Sequence, residues 1–95
     1  MPKIVMEKRY KRAPECAFRE IDGEAFIVSS KTGGVHLLNP VGTHIWSLLD
    51  GNKTLRDVAE AVTEEFDVSA WEAAYDVEEF MRKLADMDLI IELPG

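Results

Sequence analysis

The stretch Val35-His36-Leu37-Leu38-Asn39-Pro40-Val41-Gly42-Thr43-His44-Ile45-Trp46 is where the chain changes periodicity. Before it, apolar residues alternate with a period near two; after it, they recur every three to four residues. Asn39 is a good N-cap, because its side-chain oxygen accepts an amide proton that the first helical turn leaves free. Pro40 fits the first helical position, where a missing N–H costs nothing. A strand is therefore expected to end at Leu38 and a helix to start at Pro40. Working backwards, Phe18 to Ile21 alternates, Asp22-Gly23 is a strong two-residue hairpin signal, and Ala25 to Val28 continues as a strand. Lys31 to Gly34 reads as a second turn leading into Val35–Leu38. The result is a three-stranded antiparallel meander.

Working forwards, Val41, Ile45, Leu48 and Leu49, with Trp46 beside them, form one apolar stripe, and Gly51 is placed to end the helix. Thr54 opens a second helix with Asp57 at the capping-box position, and Leu55, Val58, Ala59, Val62 and Phe66 form its buried face. Ser69 opens a third, with Glu72 three residues on, running to about Met87. Its stripe is Ala73, Val77, Phe80, Leu84 and Met87. Leu89 to Ile91 reads as a short closing strand. The expected fold is α+β and winged helix-turn-helix-like: a three-stranded antiparallel β-meander followed by three α-helices, with the hairpin as the wing.

The chain has 95 residues, 46% of them apolar, enough for one compact core. Residues 16–95 are expected to form a single domain. Residues 1–15 have no clean periodicity and read as an arm or edge segment, with any strand at Ile4–Met6. No run of about 18 apolar residues exists and the N-terminus is charged, so the expectation is a cytoplasmic protein without membrane contact. The net charge of −7 conceals an asymmetry: from Ala13 onward there are 6 basic against 17 acidic residues, a balance of −11. Such a body repels phosphate backbones. The helix that would read DNA carries Glu72, Asp76, Glu78, Glu79, Asp86 and Asp88 against Arg82 and Lys83, which argues against a winged-helix DNA-binding regulator.

Catalytic signals are missing. Cys16 is a lone thiol with no base beside it in sequence. His36 and His44 lie on different elements with no further ligand at metal spacing. Gly33-Gly34 is a turn and not a phosphate loop. No nucleophile–base pair is present, so neither an enzyme nor a cofactor is expected. Val35 to Leu38 is more informative: it lacks charge and proline, which leaves a sheet edge poorly defended and able to accept an incoming strand. The N-terminal segment or a second copy in a homodimer would be the alternative cover for that edge.

Ile21-Asp22-Gly23-Glu24, Thr32 to Asn39, and Gly42 to Gly51 together resemble the PqqD family, and Thr54–Phe66, Asp76-Val77, Phe80, Leu84 and Leu89-Ile90 extend the likeness over about residues 16 to 91. The resemblance implies a non-catalytic peptide chaperone, a recognition element for ribosomally made, modified peptides, of which PQQ cofactor biosynthesis is the name-giving case. It implies that a leader peptide adds as a strand beside Val35, His36, Leu37 and Leu38, in a groove walled by the third helix. It further implies delivery to a maturation enzyme, often a radical S-adenosylmethionine enzyme. His36 and Leu37 depart from the Tyr and charged residue that relatives often show. On the third helix, the rows Trp71/Tyr75 and Asp76/Glu79/Lys83, with Phe80 as groove floor, are the expected wall. An interaction or dimerisation module unrelated to peptide natural products uses the same edge and is the competing reading.

Overall fold

The computed structural model describes residues 3–29 and 33–94. In chain order the elements are β1 (Arg9–Arg12), β2 (Cys16–Ile21), β3 (Glu24–Ser29), β4 (Val35–Leu37), α1 (Pro40–Ser47), β5 (Asp50–Thr54), α2 (Leu55–Phe66), α3 (Ala70–Asp86) and β6 (Ile90–Glu92). They form two three-stranded antiparallel sheets, in the orders β2-β3-β4 and β5-β1-β6. The fold is α+β, with the expected meander followed by three helices.

The meander follows its local signals. Asp22 and Gly23 both take positive φ, 52° and 80°, as a two-residue hairpin with strand-matched twist requires. Of the turn read at Lys31–Gly34, Lys31 and Thr32 lie outside the described residues. In β3, Ala25, Ile27 and Ser29 face inward while Phe26 and Val28 face out. The helix caps also form as their residues dictate. Asn39 Oδ1 accepts from Gly42 N at 2.8 Å, Thr54 and Asp57 make a reciprocal capping box, and Ser69 Oγ accepts from Glu72 N. Buried residues of the three helices, chiefly Ile45, Trp46, Leu55, Val58, Val62, Val77, Met81 and Leu84, pack with Ile27, Leu49 and Leu89 into one core. On α3 the inward residue is Met81, while Phe80 sits at the margin.

Three expectations change. Residues 9–12, expected within an arm or edge segment, form the central strand of the second sheet, and no strand forms at Ile4–Met6. Tyr10 is only 3% exposed, and its hydroxyl accepts from Val5 N and donates to Glu92 Oε1. Arg12, expected within the same arm or edge segment, donates from its guanidinium to the carbonyls of Trp46 (2.8 Å) and Ser47 (3.2 Å) and lies over the rings of Phe18 and Trp46. A cation there satisfies the carbonyls left over at the end of α1. Gly51 does not end α1: Leu48 is the C-cap, and Gly51, at φ 88°, sits in the irregular part of β5 where pairing with β1 shifts register.

Candidate peptide-binding groove

β4 ends the first sheet, and β1 belongs to the other one, so among the described residues the N-terminal strand does not pair with this edge. The direction of its backbone groups follows from the register. Ser29 N donates to Gly34 O and Leu38 N donates to Ala25 O, and the pairs in between are Val28–Val35, Ile27–His36 and Phe26–Leu37. Antiparallel pairs alternate between bonded and non-bonded positions. Gly34, His36 and Leu38 therefore turn their N–H and C=O toward β3, while Val35 and Leu37 turn theirs outward. No described residue pairs with that outer edge. The side chains of Val35 and Leu37 are 67% and 59% exposed.

Beside this edge lie two adjoining cavities between β4, α1 and α3. One, of about 420 Å³, is lined by Val35 to Asn39 and by Phe80, Lys83, Leu84 and Met87. The other, of about 290 Å³, is lined by Asn39, Val41, Gly42, Ile45, Asp76, Glu79, Phe80 and Lys83. Asn39, Phe80 and Lys83 border both. The groove is thus apolar along β4 and carries two carboxylates at the α1 end, with an ammonium between. The Nε2 atom of His36 is buried with no hydrogen-bond partner among the described residues, so this wall holds an unspent polar atom.

The wall is held by its neighbours. Thr43 Oγ1 accepts from Ala25 N at 2.8 Å and donates to Leu38 O, tying α1 to both β3 and the end of β4. A Cβ on Gly42 would stand 3.2 Å from Phe80 Cε1 and 3.3 Å from Asn39 Oδ1, so the missing side chain lets the Phe80 ring approach α1.

Of the residues expected in the site, Val35, His36, Leu37, Leu38, Asp76, Glu79, Phe80 and Lys83 come together. Trp71 and Tyr75 do not line either cavity; they stack on each other on a more outward row of α3. A hydrogen bond to Glu79, with the charges of Glu79 and Asp76, holds the Tyr75 phenol above its usual value. Val41, Gly42 and Ile45 were assigned by sequence to the core or left unassigned, yet they border the second cavity. Gly42 was the available signal, since a glycine in a helix costs about 1 kcal/mol against alanine and needs a packing reason.

The remaining candidates are chemically quiet. The Cys16 thiol donates to Ala13 O, and burial pushes its pKa up, away from thiolate reactivity. Among the described residues no three potential metal ligands come together, and no helix is long and apolar enough to cross a membrane.

No curated protein matches the chain. Two solved structures share its fold. One, described as TbiB1 in complex with the TbiA(beta) leader peptide, is 28% identical with a TM-score of 0.79, over 90% of this chain and 99% of that one. The other, described as lasso peptide synthetase B1 complexed with the leader peptide, is 22% identical with a TM-score of 0.75, over the same shares of the two chains. The family model for coenzyme PQQ synthesis protein D matches residues 24–90, from the start of β3 into β6. With that match spanning most of the chain and taking in both walls of the groove, the protein belongs to the PqqD family.

Proposed function

We propose that the protein binds the leader of a ribosomally made precursor peptide as an added strand on β4, without catalysis of its own, and presents it to a modifying enzyme. The observation that carries this reading is the free edge of β4, whose outward N–H and C=O groups at Val35 and Leu37 open directly onto the groove. Main-chain bonds to these two residues supply affinity. Alternate peptide side chains enter the groove, where Leu38, Phe80, Leu84 and Met87 favour apolar anchors. Asp76, Glu79 and Lys83 fix register by charge. The likeness to two leader-bound proteins supports the same reading. The enzyme partner, a radical S-adenosylmethionine enzyme or another maturase, acts on the peptide portion left outside the groove.

The test is a titration with leader segments of precursor peptides encoded beside the gene, followed by amide NMR shifts. Saturable shifts at Val35–Leu38 and along Phe80–Met87 are expected. Leu37→Pro removes an N–H that no β3 residue uses, so the domain stays folded. Its affinity for the leader is expected to fall about tenfold or more, since one lost hydrogen bond costs about 1 kcal/mol before the ring's bulk is counted. Unchanged affinity in a folded Leu37→Pro protein overturns strand addition. A homodimer paired through β4 competes for the same edge, so sedimentation would show dimers giving way to monomers as leader is added.

A further inference from the structure

Trp71 and Tyr75 lie outside the groove and are left without a role by the peptide reading. Trp71 is 80% exposed and Tyr75 56% exposed, and their rings stack at an interplanar angle of 10° with centroids 6.3 Å apart. Large aromatic side chains this open are uncommon on a monomer surface and mark contact sites when they cluster. The surrounding charge is mostly negative, with Arg82 as the cation that borders Tyr75. Between Arg56 and Arg82 the sequence has nine carboxylates and no lysine or arginine. On α3, Glu72, Glu78 and Glu79 stand three or four residues from Tyr75, which places them beside its ring; Glu78 is paired with Arg82 and Glu79 with the Tyr75 hydroxyl, and Glu72 lies toward Trp71.

We propose that the Trp71–Tyr75 face of α3 docks an arginine-bearing segment of a second protein partner, whose guanidinium groups stack on the two rings. Charge complementarity selects the occupant. The rings offer π faces that attract cations, and the neighbouring carboxylates supply the counter-charge. Arginine suits the site better than lysine because its planar group stacks on an aromatic face and pairs with a carboxylate at the same time. At 100° per residue, Tyr75 lies roughly 80° to 140° around the helix from Lys83 and Phe80. The two rings stand clear of the groove, and Glu79, which borders the groove and bonds Tyr75, marks the boundary between the two surfaces.

The test uses a short synthetic peptide of alternating arginine and glycine as the probe, with the indole N–H signals followed by NMR. Trp46 is buried, so the two indoles separate, and Trp71→Ala assigns them. Saturable movement of the Trp71 and Tyr75 signals is expected, weakening as salt rises. Affinity should fall about tenfold in Trp71→Ala, from cation–π loss of about 1 to 2 kcal/mol, and fall again in Glu72→Lys. The matching lysine–glycine peptide should bind more weakly. Leu37→Pro should bind the arginine probe like the unmodified protein, which separates this surface from the leader groove. Equal affinity for both probes, unchanged binding in Trp71→Ala, or shifts confined to β4 and the groove would overturn the proposal.

Discussion

β2-β3-β4 and β5-β1-β6 each hold three antiparallel strands, yet they close over very different lengths of chain. The first joins neighbours in sequence through a two-residue turn and one further connection. The second pairs Tyr10 with Glu92 and Arg9 with Thr54, so its strands come from both ends and the middle of the chain. The first leaves an edge open and turns backbone groups outward. The second is tied in by the Arg12 and Tyr10 side chains and by Leu93 N on Arg9 O. On the proposed reading, one sheet binds and the other holds. Substitutions in the two should therefore separate affinity from stability.

The largest stability effect is expected at Arg12→Ala. It strips two carbonyls at the end of α1 of a charged donor and uncovers two rings, costing about 3 kcal/mol, mostly as charge-assisted bonds. Urea unfolding measures the loss, and the folded fraction should still bind leader normally. Weakened leader binding without destabilisation would merge the roles of the two sheets. Thr43→Val is the counterpart on the groove side. It leaves the buried Ala25 N–H without its acceptor, at about 2 kcal/mol. Because Thr43 also holds the end of β4, leader affinity should fall with stability, and a purely thermodynamic effect would show the edge to be positioned by other contacts.

Tyr10→Phe removes two long hydrogen bonds and should cost about 1 kcal/mol. It also carries a pH signature. Burial, with the charge of Glu92, raises the Tyr10 phenol above its usual 10.0 in the folded protein. The neutral form is thus the one the fold favours: its contribution is complete below pH 10 and fades as pH climbs through the raised folded value. Alkaline unfolding curves should show this loss in the parent protein and its absence in Tyr10→Phe. The smallest effect is expected from Gly42→Ala. Gain in helix propensity, about 1 kcal/mol, is offset by displacement of Phe80, leaving stability within about 1 kcal/mol of the parent. Leader affinity should drop nonetheless, since the displaced ring floors both cavities.

The same contrast explains what the sequence made legible. Asp22-Gly23, Asn39-Pro40, Thr54 with Asp57 and Ser69 with Glu72 are local signals, each settled by residues within a turn of one another, and all four form as read. Arg9–Arg12 and Asp50–Thr54 have no such signature. Their sequences, RYKR and DGNKT, show no apolar alternation, and their strand character comes from partners more than thirty residues away. The groove was legible on β4 and α3 for a related reason, because helical spacing fixes which α3 residues share a face. Its α1 side was not, since the residues lining it also belong to the apolar stripe that packs inward. Trp71 and Tyr75 show the limit of spacing alone: one row around the helix separates the groove from open surface.

The open edge of β4 has a cost in solution behaviour. An uncharged strand with free backbone groups, beside the exposed side chains of Phe26, Val28, Val35 and Leu37, is a template on which other extended chains can grow. Occupied by a peptide, that template is capped. On the proposed reading, the colloidal stability of the protein is tied to the supply of its peptide, and an excess of chain over peptide is expected to leave that template uncovered.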